Sequence, residues 1–232
     1  MEITWLGHAC FRLKAKEATV VTDPYSKTIG LTPPRVQADI VAVSHDHAGH
    51  NHAAGVGGNP KIISGPGEYE IRNVFITGIA AFHDGNQGKS HGKVTIYLIE
   101  MEDLVVCHLG DLGHVPTQEQ VEAIGRVDVL LVPVGGGDSL NASQAAEVVG
   151  LLEPRAVIPM HYQTDGLTTT LDPITRFSKE MGARSDPQRN PIYPALRVEE
   201  LEPGQPYLDM ARSGPVAAAP EPPITWTCRL KK

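Results

Sequence analysis

The stretch Ile40-Val41-Ala42-Val43-Ser44-His45-Asp46-His47-Ala48-Gly49-His50-Asn51-His52 decides how this chain is read. Its opening is continuously apolar, the pattern of a strand covered on both faces. Four histidines then crowd into the loop that follows. Neutral imidazoles are good ligands for zinc and related borderline ions, and adjacent loop residues can turn several of them toward one ion. Packed together with no ion to hold, they would repel on protonation and leave buried ring nitrogens unpaired. The plain alternative is an exposed polar loop, and a second histidine cluster elsewhere would count against it.

Working outward, one pattern recurs: an apolar strand that ends in a histidine or an aspartate. His83 follows Ile79-Ala80-Ala81-Phe82, Asp111 follows Val105-Val106-Cys107-His108-Leu109-Gly110, and His161 follows Val157-Ile158-Pro159-Met160. Singly, each is more often a hydrogen-bonded loop residue than a ligand. Around them the chain reads as short strands at residues 3–6, 11–13, 19–22, 40–44, 61–64, 68–72, 74–79, 94–100 and 104–107. Helices come later. Thr117 with Gln120 makes a capping box for a helix that ends at Gly125. A second helix, at 142–152, has Asn141 or Ser143 as its cap, and a third lies near 173–181. Strands at 127–132 and 156–159 separate them. Strand-rich sequence giving way to alternating helix and strand implies two sheets with helices outside.

Composition narrows the function. The formal charge of -7 gives no general attraction for phosphate backbones, so nucleic acid is not expected as a partner. Cys10, Cys107 and Cys228 are too few and too scattered for a disulfide framework or a Cys-x-x-Cys pair. No basic-then-apolar leader opens the sequence, and no apolar run is long enough to span a bilayer. A cytoplasmic protein with no membrane partner is the expectation. The glycine clusters at 55–58 and 135–137 lack the Lys-Ser/Thr ending of a phosphate-binding loop. The residues expected to form the folded domain are 1–202; from 203 to 232 the sequence reads as a proline-rich tail.

Taken together, these landmarks resemble the metallo-β-lactamase superfamily, and within it the small metal-dependent hydrolases similar to L-ascorbate 6-phosphate lactonase-like proteins. The resemblance covers roughly residues 1–200. It rests on Trp5-Leu6-Gly7-His8-Ala9-Cys10-Phe11, Thr22-Asp23-Pro24, the His45–His50 segment in place of H-x-H-x-D-H, His83, Gly110-Asp111 and His161-Tyr162. It implies an α/β fold: a four-layer αββα sandwich of two mixed sheets with outer helices. It also implies one or two zinc ions, with manganese or iron as substitutes. His45, His47 and His83 would hold the first metal and His50 and His161 the second, with Asp111 bridging them as the catalytic carboxylate.

The implied activity is hydrolysis of an ester, lactone or phosphoester in a small-molecule substrate by a metal-activated water. Members of this group assemble, so a homo-oligomer is compatible with the reading. By the same resemblance His8 would sit at the pocket mouth. His8 and His114 are the candidate substrate-binding residues, and Asp23 would orient a ligand imidazole through its free ring nitrogen. If the strand stays extended, His108 points to the face opposite Asp111 and is buried.

One position departs from the motif. Gly49 stands where the family has an aspartate, which removes a carboxylate from the second metal position and an orienting partner from the water. His52 or Asp46 could substitute. A non-catalytic metal-binding or sensing protein on the same fold is therefore the alternative function.

Overall fold

The structure, a computed structural model, describes residues 1–182 and the backbone of 197–198 and 224–228. Thirteen strands fall into two sheets among these residues. The strands are β1 (Glu2–Gly7), β2 (Cys10–Lys14), β3 (Thr19–Thr22), β4 (Ile40–Val43), β5 (Lys61–Ser64), β6 (Gly67–Ile71), β7 (Val74–Phe82), β8 (Lys93–Met101), β9 (Leu104–His108), β10 (Val129–Pro133), β11 (Ala156–Met160), β12 (Arg197–Val198) and β13 (Ile224–Cys228). The first sheet runs β12-β13-β1-β2-β3-β4-β5 and the second β11-β10-β9-β8-β7-β6. Three helices, α1 (Gln118–Ile124), α2 (Ala142–Leu152) and α3 (Ile174–Glu180), complete the inventory of α-helices among the described residues.

β4 shows why its sequence is apolar throughout. Ile40 and Ala42 join the core between the sheets, whereas Val41 and Val43 join a separate cluster with Cys10, Val21, Tyr25 and Val56 on the outer face. The alternation of side chains along a strand sends successive residues to opposite faces, so both must be covered. Helix starts follow the capping signals. Thr117 and Asn141 each accept a hydrogen bond from the backbone of the third residue of their helix, and Gln120 and Gln144 return it.

Among the described residues the α-helices lie beside the second sheet. α1 touches β7 and α2 touches β10, both in the second sheet, and α2 also packs on α3. The outer face of the first sheet is instead covered, among the described residues, by loops carrying two single-turn 3-10 helices, Lys27–Ile29 and Ala53–Gly55. The proline-rich stretch beginning at residue 203 lies outside the described residues except at Ile224–Cys228. There Ile, Thr, Trp and Thr are strong strand formers, and the backbone pairs antiparallel with β1. Cys10 and Cys107 are buried free thiols. No helix among the described residues is long and apolar enough to cross a membrane.

Strand direction positions the site. β3 and β4 are parallel, and β1 shares their direction because two antiparallel pairings separate it from β3. β9, β10 and β11 are parallel, and β7 shares their direction by the same logic. The carboxyl ends of β1, β3, β4, β7, β9 and β11 therefore present His8, Asp23, His45, His83, Asp111 and His161 at strand ends that all leave their sheets the same way. Ligand sites in α/β sheets form at such ends.

Two buried bonds join the sheets beside this edge. Tyr97 donates its hydroxyl to the Val43 carbonyl at 2.9 Å, and the Thr95 amide donates to the Ser44 carbonyl at 2.9 Å. Tyr97→Phe removes the first bond in a dry interior and is expected to cost about 1 kcal/mol of stability. The urea unfolding midpoint measures it, and an unchanged midpoint would show that the bond does not hold the sheets together.

Candidate metal centre

Asp111 is the centre of the cluster. It is buried, and its Oδ2 lies 3.0 Å from His50 Nε2, 3.3 Å from His83 Nε2 and 3.8 Å from His45 Nε2. Its Oδ1 lies 3.2 Å from His161 Nε2. These approaches are close, yet His45 Nε2, His50 Nε2 and Asp111 Oδ1 are buried atoms with no hydrogen-bond partner. Several imidazole nitrogens converging on one buried carboxylate, more of them than its oxygens can satisfy, are what a cation site requires, since leaving them unpaired would otherwise be costly.

Three sets of side chains each place their donor atoms within 4.8 Å of one another: His45, His83 and Asp111; His45, His47 and His50; and His8, His50 and His161. His45 is common to the first two sets. His47 and His83 thus do not meet in the single trio that the sequence suggested; each meets His45 with a different third partner.

The loop geometry is fixed from below by Asp23. This fully buried carboxylate accepts hydrogen bonds from the Ser44 amide at 2.7 Å, the Ser44 hydroxyl at 2.6 Å and His50 Nδ1 at 2.8 Å. The last bond selects the His50 tautomer and leaves Nε2 facing Asp111. Asp23 itself has φ 39°, and His8 and His161 have φ 52° and 51°. Left-handed backbone at three non-glycine site residues is strain that the surrounding contacts must hold in place.

Ser139 plays a comparable part for His161. Its hydroxyl donates to the Gly136 carbonyl at 3.0 Å and lies 3.4 Å from His161 Nδ1. His108 is buried with both ring nitrogens on the main chain: Nε2 donates to Ala9 and Nδ1 accepts from Gly110, the residue before Asp111. Gly110 has φ 56°, and a Cβ there would come within 2.6 Å of the Ser44 Cβ, so only glycine lets the Asp111 loop approach the histidine loop this closely.

Electrostatics inside the cluster favour positive charge beside the carboxylates. For Asp111, burial alone would raise the pKa, but His161 and then His50 hold it well below the usual range. Burial opposes charge on His50 too, yet Asp111 and then Asp23 push it up to about 10. His45 is pulled down to about 3 by burial and by His50, and His8 is lowered well below its ordinary value by burial and by His161. His8, His45 and His47 are thereby favoured as neutral imidazoles, the form that binds metals, whereas Asp111 raises His83 as it does His50.

Two sequence expectations change place. His8 is 5% exposed, with its ring centroid 4.2 Å from that of His161 and 5.1 Å from that of His50, so it lies in the floor of the site and not at its mouth. His114 has Nε2 accepting from the Phe82 amide and Nδ1 donating to the Val115 carbonyl. It lines a separate groove with Phe82, Thr117 and Gln120, outside the converging donors. Neither Asp46 nor His52 fills the Gly49 gap: Asp46 is exposed and accepts from Asn51, and the His52 ring lies over Gly55.

The sequence gives no sign of one contact beside His83. The His91 ring is 5.5 Å from that of His83, and its Nε2 lies 3.1 Å from the Asp138 carboxylate. Both residues are exposed, and no local motif marks them, because the contact joins loops nearly fifty residues apart.

Residues 2–161 match the profile of the beta-lactamase superfamily domain. The chain belongs to the metallo-β-lactamase superfamily. A UPF0173 protein of Pyrococcus abyssi is 30% identical over 190 residues, spanning 72% of this chain and 85% of its own. A relative from Thermococcus onnurineus, named UPF0173 metal-dependent hydrolase, is 29% identical over 192 residues, spanning 71% and 85%. A solved Thermotoga maritima structure, described as a candidate zinc-dependent hydrolase of this superfamily, is 44% identical with a TM-score of 0.65 and covers 77% of this chain and 84% of its own.

The loop between β7 and β8 is held by one side chain of this superfamily member. Asp84 accepts hydrogen bonds from the amides of Asn86, Gly88, Ser90 and His91, at 2.7 to 2.9 Å, and these lower its pKa. Asp84→Ala is expected to speed amide hydrogen exchange at those four positions while leaving the β8 interior unchanged. Equal exchange in both proteins would show that the loop is held by something else.

Proposed function

We propose that this chain is a metal-dependent hydrolase that holds zinc between its two sheets and cleaves an ester, lactone or phosphoester in a small polar substrate. The observation that carries this reading is the convergence of His45, His50, His83 and His161 on Asp111, with the exposed His47 grouped beside His45 and His50 and buried donor atoms left unpartnered. Imidazole-rich donors with a single shared carboxylate suit zinc and tolerate manganese or iron. The names of the relatives support hydrolysis, and the Thermotoga maritima protein's description supports zinc.

Bound there, the metal supplies a water acidic enough to deprotonate near neutral pH and polarises the substrate oxygen that gains charge. The chain's own contribution is geometric. Asp111 directs one carboxylate oxygen to His161 and the other to His50 and His83, an arrangement suited to bridging two positions. Asp23 and Ser139 hold the far nitrogens of His50 and His161, so that the near nitrogens keep their aim. His91 and Asp138 offer polar groups to a substrate entering from solvent. The overall charge of -7 favours small substrates over nucleic acid.

The test is zinc content followed by turnover of a panel of lactones, carboxylic esters and phosphoesters. Zinc-loaded protein is expected to cleave at least one class, and Asp111→Asn to lose both metal and turnover. Full zinc loading with no turnover of any class would favour the sensing role instead. A second outcome concerns Asp23: Asp23→Asn should weaken zinc binding by roughly 10- to 100-fold, measured by chelator competition, because His50 loses its orienting acceptor. Unchanged affinity would remove Asp23 from the design of the site.

A further inference from the structure

Gly49 is a glycine with no conformational reason to be one. Its φ is not positive, unlike that of thirteen other glycines in the described residues, so any residue could adopt its backbone. What a side chain there would meet is crowding. A Cβ at position 49 would lie 3.0 Å from His8 Nε2 and 3.3 Å from His8 Cδ2. The volume that a side chain at this position would enter is taken by the His8 ring.

That ring is built in. His8 sits in left-handed backbone, and its carbonyl is pinned by the Trp5 indole N–H at 2.9 Å and the His161 amide at 3.2 Å. Its Nδ1 is buried without a hydrogen-bond partner. A donor nitrogen of His8 lies within 4.8 Å of those of His50 and His161, which share Asp111. A ring kept only for packing has no use for a buried, unpartnered nitrogen, whereas this ring carries one and also stands with the nitrogens of His50 and His161.

We propose that His8 is a ligand of the second metal position, replacing the carboxylate that Gly49 cannot supply, and that positions 8 and 49 form an exchangeable pair. This rests on the metal-centre reading above. The second position becomes a site of three imidazoles and one carboxylate. Trading a carboxylate for an imidazole turns it away from oxygen-seeking ions such as magnesium and calcium toward zinc and cobalt.

The test uses metal-stripped full-length protein titrated with zinc and with cobalt(II), reading stoichiometry by elemental analysis and the visible absorption of bound cobalt. The variants are His8→Ala, His8→Gln and the double variant His8→Ala/Gly49→Asp, with thermal melting as the control for folding. Wild type is expected to bind two equivalents. Each His8 variant should lose the second, or bind it about tenfold more weakly or worse, with a changed cobalt spectrum. The double variant should regain it, and His8→Gln carries the result if the alanine variant folds poorly. Equal stoichiometry, affinity and spectra in wild type and His8 variants overturn the proposal while leaving the metal centre intact. No metal bound by wild type overturns both.

Discussion

The Asp23 carboxylate, fully buried and accepting three hydrogen bonds, is the constraint on which the rest of the site depends. Two of its bonds hold Ser44 where β4 ends, and the third holds His50 six residues later. The histidine loop is therefore clamped at both ends by one side chain leaving β3. A buried carboxylate is tolerated only when its acceptor capacity is used, and here each bond also sets a direction for the loop. The second sheet adds to the same clamp through Thr95 and Tyr97, which reach the carbonyls of Ser44 and Val43. Asp111, arriving on β9 behind Gly110, can then meet several imidazoles at once.

Much of this was legible in the sequence because the fold repeats one device. The continuous apolar run of β4 and the strand-ending His83, Asp111 and His161 carry the architecture and most of the donor set in a local pattern. Asp23 and His108 could be read as supporting residues, since Asp-Pro after a strand and a period of two constrain where they point. The capping box at Thr117 marked one helix because its chemistry is confined to four residues, and Asn141, one of two caps the sequence left open, proves to cap the next.

What the sequence hid was contact between distant loops. Gly7-His8 reads like any hairpin turn, and nothing local says that its ring lies under His161. His91 with Asp138, and Ser139 with His161, are pairings that exist only once both loops are folded. Among the described residues, loops carrying buried Tyr25, Ile29, Ala53 and Val56 pack on the first sheet's outer face, a contact that no local pattern marks. Gly49 is the instructive case. As a departure from a motif it reads as a loss, but beside His8 it is clearance for a ring, so the substitution and the buried histidine explain each other.

The central claim is that two cations sit on opposite sides of the Asp111 carboxylate, the second of them against His8. Anomalous diffraction at the zinc edge, from crystals of protein loaded with zinc, tests it most directly. The account predicts two peaks flanking Asp111, one bounded by His45 and His83 and the other by His8, His50 and His161. A single peak remote from His8 would contradict the second position, and no peak at Asp111 would contradict the metal centre itself.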